Sequence, residues 1–156
     1  RKCVDIITAV AKCLPNLKIL HVGSIDDIPF PKYPSLEHIE PVDQKVLPLY
    51  YNKSRIYLHA SREDGFGMVL SQAMACNLPI VATTTCGATT LKRLVSFPEY
   101  IQVYNSPSVE NLSNGIRKAI QQQRELTFHY GGTAVEKLSW DAYGKRYAYF
   151  LLKITG

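Results

Sequence analysis

The feature that most limits what this chain can fold into is a repeated alternation of short apolar runs with amphipathic stretches of helical spacing. Five runs have the β-branched and apolar make-up of strands: LKILHVG at residues 17–23, LEHIEPV around Ile39, SRIYLHA ending at Ala60, LPIVATT ending at Thr84 and YIQVYN ending at Asn105. The chain opens with a helical pattern in which Val4, Ile7, Val10, Ala11 and Leu14 recur every three to four positions until Pro15 and Asn16 stop it. Further helical patterns fall at residues 44–51, 68–75, 89–95 and 109–122, the last with Ser106 as N-cap and Pro107 at the first helical position. Two closing helices are expected at residues 126–138 and 140–154. Strands that alternate with helices at this spacing must run parallel through right-handed crossovers. The expected fold is therefore α/β, a doubly wound, mostly parallel sheet of about five strands with helices on both faces. Its ligand crevice lies at the C-terminal ends of the strands.

A chain of 156 residues supplies one such domain, spanning 1–156, and its 46% hydrophobic and 20% charged residues exclude a disordered chain. The net charge of +5 suits a partner carrying phosphates. Basic residues cluster no further than the pairs Arg1-Lys2, Lys92-Arg93 and Lys145-Arg146, so a small phosphorylated ligand fits better than nucleic acid. Cys3, Cys13, Cys76 and Cys86 show no metal-ligand spacing and are expected to be buried free thiols. His21, His38, His59 and His129 form no pair with a carboxylate at a motif spacing and are expected to be structural, with His59 near the site. No apolar stretch approaches the ~20 residues of a membrane span, and no signal peptide opens the chain, so a cytoplasmic location is expected. The chain begins with Arg1 rather than Met and is therefore expected to be processed, trimmed or cut from something longer.

The stretch SREDGFGMVLSQAMACNLPIVAT, residues 61–83, reads as strand end, glycine-bearing loop, helix, turn and strand. Gly65 and Gly67 allow positive φ and close backbone approach, and the unpaired N–H groups of a helix starting near Gly67-Met68 favour an anion such as a diphosphate. Asp64 stands just before the loop and Gln72 about one turn into the helix, so both can reach one ligand. Asn77 suits a left-handed helix cap. Met68 and Met74, at helical spacing, are expected to fill the core.

This segment resembles the signature of the family-4 glycosyltransferases of GT-B fold, the glycosyl transferases group 1. In that family an E-x7-E pair frames GFG and is followed by A-M-A-C-G-l-P-v-v-A. RKCVDIITAV is similar to the family's K-G-x-D helix start, LKILHVGS to its second strand, VLPLYYNKSRIYLHAS to its l-p-x-l-Y…P-S segment and LSWDAYGKRY to its late S-W…Y. The resemblance implies a Rossmann-like, donor-binding C-terminal domain of a two-domain enzyme that transfers a sugar from a nucleoside diphosphate sugar, with retention and without a required metal or other cofactor. The N-terminal acceptor domain is absent, and this fragment alone is expected to be inactive. The acceptor is expected to be membrane-associated or a polysaccharide, reached from the cytoplasm or at the inner face of the membrane.

Carried over by position, Lys2 matches the lysine that neutralises the diphosphate and, with Asp64, the catalytic set. Asp64 matches the glutamate that contacts the sugar, Gly65, Phe66, Gly67, Met68 and Val69 the loop that holds sugar and phosphate, and Gln72 the glutamate that binds the ribose. The family's paired arginine and its first, central strand would precede Lys2. Without that strand, either LKILHVG pairs directly with SRIYLHA or the strand comes from outside these residues. The chain departs from the pattern in having D-x7-Q for E-x7-E and Thr90 after the Cys86-Gly87 turn, where the family often has glutamate. These departures leave a non-catalytic nucleotide-sugar-binding module as the alternative. Trp140, Tyr143, Tyr147, Phe150 and Leu151 form an aromatic face expected to pack on the N-terminal domain.

Overall fold

The computed structural model describes residues 3–25 and 29–125, with residues 136–139, 141, 142, 144, 145 and 148 beyond them. The two closing helices, with Trp140, Tyr143, Tyr147, Phe150, Leu151 and His129, fall wholly or largely outside the described residues.

The order is α1 (Val4–Cys13), β1 (Ile19–Val22), β2 (Leu36–Ile39), α2 (Leu47–Lys53), β3 (Tyr57–His59), α3 (Met68–Ala75), β4 (Ile80–Thr83), α4 (Ala88–Leu94), β5 (Ile101–Tyr104) and α5 (Val109–Glu125), with a short 3-10 turn at Pro98–Tyr100. All five expected strands are present, and those that pair do so in parallel. Boundaries shift where side chains compete for the backbone. Residues 44–46 form a turn rather than helix, because Asp43 Oδ1 accepts from the Lys45 amide at 2.8 Å, so α2 starts only at Leu47 with Pro48 in its first turn. The N-cap of α5 is Ser108, not Ser106: its Oγ accepts from the Asn111 amide at 3.1 Å, and the helix starts at Val109.

β4 shows why the layers assemble as they do. It pairs on both sides and all four of its residues are buried. Ile80 and Ala82 face a cluster with Leu70 and Met74 of α3, Leu91 of α4 and Ile101 of β5. Val81 faces the opposite cluster, with Val10 of α1 and Leu112, Ile116 and Ala119 of α5. The period-two alternation thus feeds two apolar layers, and each large side chain removed from water there contributes about 1.5–3 kcal/mol. The result is a Rossmann-like, doubly wound arrangement.

The sheet, however, is divided. β1 and β2 form one pair and β3-β4-β5 a triplet. Direct pairing of LKILHVG with SRIYLHA, one of the two expected solutions, does not occur. The pairs lie over a shared helical layer, since Ile19 of β1 and Leu58 of β3 both pack on the cluster of α1 and α5. All of β1, with Tyr57 and Leu58 of β3, is only half-buried, in contrast to β4. On the β3 side, the Cys3 amide donates to the Ala60 carbonyl at 3.3 Å. The backbone just before α1 therefore touches the strand's end.

Several single-residue expectations change. Of the free cysteines, Cys3 and Cys86 are buried, but Cys13 is exposed and Cys76 partly so. Met74 fills the core at 1% exposure, whereas Met68, at the first position of α3, is 60% exposed. Asn77 does adopt the left-handed conformation, with φ of 56°. Its amide bonds Met74 O and the Leu78 amide bonds Ala73 O, closing α3 in a Schellman motif with Leu78 packed near Ala73.

Candidate functional site

The loop between β3 and α3 emerges at the C-terminal edge of the triplet and is held from below by the turn after β4. Ser61 O accepts from the Thr83 and Thr85 hydroxyls at 2.8 and 2.6 Å. The Asp64 amide donates to Thr85 O at 3.1 Å and the Gly87 amide to Phe66 O at 3.0 Å. Ser61 Oγ adds an internal bond to Glu63 O at 2.8 Å. Two adjacent crossover loops are thereby stitched into one ledge.

Glycines make the stitching possible, though not both of those expected. Gly67 is the N-cap of α3 at φ 70°, a left-handed conformation that costs a residue with a Cβ about 1–2 kcal/mol. Gly65 has neither a positive φ nor any neighbour that a Cβ would meet. Within the ledge, the position closed to a Cβ by backbone contact is Gly87, where it would lie 2.3 Å from Phe66 O. Its signal in the sequence was the Cys86-Gly87 turn, but the contact it serves is with Phe66 in the preceding crossover loop.

Asp64 projects from this ledge and is partly buried. Its Oδ2 lies 2.9 Å from His59 Nε2, and His59 Nδ1 lies 3.2 Å from the Tyr57 hydroxyl. An ionised carboxylate can only accept, so Nε2 donates to it; in the neutral imidazole the Tyr57 hydroxyl then donates to Nδ1. Burial, with smaller contributions from Tyr51, Asp64 and Cys86, pushes the Tyr57 hydroxyl far above the ordinary phenol range and keeps its proton in place. The expectation that no histidine pairs with a carboxylate fails at His59, because strand and loop double back within five residues and no fixed motif spacing announces it. His38 and His21 behave structurally: their Nδ1 atoms are 3.0 Å apart across β1 and β2 and their rings stack, with Phe30 tilted against both, and His38 Nε2 is 3.4 Å from Glu40.

Gln72 sits one turn into α3, where its Oε1 accepts from the Tyr51 hydroxyl of α2 at 3.2 Å. Beside it is a cavity of about 160 Å³ lined by Gln44, Leu47, Pro48, Tyr51, Gln72, Ala75 and Cys76. Tyr51 packs edge-on against Tyr57, with centroids 5.8 Å apart. Asp64 and Gln72 are thus the two ends of one chain of contacts through His59, Tyr57 and Tyr51, none of which lies within the D-x7-Q stretch itself.

Of the other predicted residues, Phe66 and Met68 are exposed and Val69 is half-buried on the same loop and first turn. Lys2 lies outside the described residues, but its neighbour Cys3 bonds Ala60, four positions before Asp64. Asp5, in the first turn of α1, pairs with Arg62 at 2.8 Å, and that hydrogen bond holds its carboxyl below the ordinary range. The start of α1 therefore sits beside the ledge. Among the described residues no group of three or more His, Cys, Asp or Glu side chains is placed to hold a metal ion, and no helix is long and apolar enough to cross a membrane.

A parallel doubly wound sheet with a glycine loop opening a helix at its C-terminal edge defines the class of Rossmann-like α/β domains. The family model described as "Glycosyl transferases group 1" matches residues 34–134, more than half of the chain, and the chain belongs to that family. No curated protein matches it by sequence. Among solved structures it is similar to that described as "Crystal Structure of WaaG, a glycosyltransferase involved in lipopolysaccharide biosynthesis", with a TM-score of 0.58 and 21% identity over 88% of this chain. The chain spans 39% of that protein's length. At that identity the likeness speaks for the fold.

Proposed function

We propose that this chain is the donor-binding half of a retaining, family-4, hexosyltransferase-type enzyme of GT-B fold. Its donor is a nucleoside diphosphate sugar and its acceptor a membrane-associated or polysaccharide molecule, met in the cytoplasm or at the inner face of the membrane. An N-terminal acceptor domain completes the enzyme, and residues 1–156 alone are inactive. The observation that carries this reading is the clamped ledge, which sets Asp64 beside a helix N-terminus while Gln72 borders a cavity one turn further on.

In this reading Lys2 and the backbone of residues 65–69 offset charge as it develops on the leaving diphosphate, so no metal is required. Asp64 holds the hydroxyls of the transferred sugar, and positioning of this kind supplies rate without a covalent intermediate on the protein. The leaving phosphate accepts the proton of the incoming hydroxyl on the same face. Gln72 accepts from the ribose, and the cavity beside it takes the apolar edge of the base.

A second reading, a binding module without catalysis, draws on one observation: the Gln72 oxygen carries no charge and already accepts from Tyr51. Calorimetry with UDP-, GDP- and ADP-sugars, followed by turnover with acceptor in an intact two-domain chain, separates the two. Tight binding without turnover selects the module. Binding of none of the three, unaffected by Lys2 or Asp64 substitution, rejects the donor site altogether.

A further inference from the structure

Asp64 does not stand alone at the mouth of the site. It is 22% exposed at its side chain, and the group against its Oδ2 is a histidine only 4% exposed. That histidine is anchored in turn: it ends β3, the strand whose Tyr57 pairs with Ile80 and whose His59 pairs with Ala82 of the buried β4. Its other ring nitrogen meets the Tyr57 hydroxyl from the same strand, two residues back and on the same face. Its ring borders the glycine loop, since a Cβ at Gly67 would lie 3.8 Å from His59 Nε2, within ordinary contact.

We propose that His59 is a positioning residue for donor binding, which through its Nε2 proton fixes the carboxylate of Asp64 toward the sugar half of the donor, with Tyr57 holding the imidazole in the required tautomer. The inference rests on the donor-site reading above and deepens it. Aspartate is one methylene shorter than the glutamate of the family pattern and cannot extend as far from the ledge. A carboxylate with few rotatable bonds, bonded from beneath by a buried donor, presents one defined geometry, and a hydrogen bond of this charged type commonly changes affinity by about tenfold or more. Gln72, at the nucleoside end, is held by Tyr51 rather than His59, so the two ends of the donor report on different supports.

That division gives the test. In the intact protein, affinities are measured by calorimetry for whichever UDP-, GDP- or ADP-sugar binds wild type, and for the matching free nucleoside diphosphate. His59→Leu is expected to weaken the nucleotide sugar about tenfold while changing the free diphosphate less than twofold. His59→Gln, whose amide still donates toward Asp64, is expected to recover most of the loss. In Asp64→Asn, adding His59→Leu should cost little more, because both act through one contact. Thermal melts confirm that each variant is folded, and if His59→Leu does not fold, His59→Gln and Tyr57→Phe carry the comparison, with Tyr57→Phe expected to affect only the nucleotide sugar. Equal loss for sugar and diphosphate, or no loss for either, overturns the inference while leaving the donor site standing. If wild type binds no nucleotide sugar, the donor-site reading fails and this inference with it.

Discussion

His59 Nε2 lies 2.9 Å from Asp64 Oδ2, so the end of β3 and the loop that opens α3 share one proton donor and one carboxylate. The contact makes Asp64 more than a loop residue awaiting a ligand. Asp64→Asn keeps the shape but turns a charge-assisted bond into a neutral one. Affinity for a bound nucleotide sugar should fall about tenfold, and the free nucleoside diphosphate should be nearly indifferent. Isothermal titration of both ligands checks it, and equal losses would place Asp64 at the diphosphate instead of the sugar.

The Phe66–Gly87 contact predicts a stability effect rather than a binding one. A Cβ at residue 87 would sit 2.3 Å from Phe66 O, and the obstacle is backbone, which cannot swing aside as a side chain can. Gly87→Ala should therefore force the two loops apart and destabilise the fold by about 2–4 kcal/mol, at the upper end for overpacking. Gly65→Ala, with nothing within 4 Å of its added methyl, should cost under about 0.5 kcal/mol. Urea denaturation of the two variants separates these outcomes, and similar midpoints would contradict the clamped ledge.

Much of this was legible beforehand because it depends on local chemistry. The five strands announce themselves through β-branched runs, and Asn77 through its position before Leu78 and Pro79. What stayed hidden depends on pairings between distant segments. Tyr51 meets Gln72 from another helix, and Gly87 meets Phe66 from another crossover. His59 and Asp64 are close in sequence, yet only the bend between strand and loop turns them face to face. The N-cap of α5 was misplaced because Ser106 and Ser108 flank the same Pro107 and have equal propensity; only the geometry at Asn111 chooses between them.

Alkaline conditions should reveal the phenols that the fold shields from water, Tyr57 among them although the residue as a whole is half-buried. In the unfolded chain Tyr57 loses its proton near pH 10, whereas burial in the fold raises its pKa well beyond that value. Above pH 10 the unfolded state binds fewer protons than the native state, so stability falls as pH rises, by up to about 1.4 kcal/mol per pH unit for each such group. Tyr57→Phe should flatten the decline between pH 10 and 11.5 without abolishing it, because burial also raises Tyr51 and Tyr104. Denaturation midpoints across that range provide the measurement, and identical slopes in the two proteins would show that Tyr57 is not sequestered.

The divided sheet yields the most structural of the predictions. The Ile19 amide bonds Ser35 O and the Gly23 amide bonds Ile39 O, both toward β2. By the period-two alternation of a strand, the amides of Leu20 and Val22 point to the opposite side. Likewise the Tyr57 amide bonds Pro79 O toward β4, so that of Leu58 points away from it. Three apolar residues thus direct N–H groups away from the strands they pair with, and the Cys3 amide bonds Ala60 just past the end of β3. Open edges of this kind invite another strand, and parallel neighbours on both sides call for one that runs parallel too. In a polypeptide of residues 1–156, hydrogen exchange at Leu20, Val22 and Leu58 should be fast, while Val81 in the centre of β4 stays protected. In a longer protein that supplies the strand, all four should be slow. Protection of Leu20 and Leu58 in the shorter polypeptide would mean that β1 and β3 close on each other in solution, and the space between them would then need no further strand.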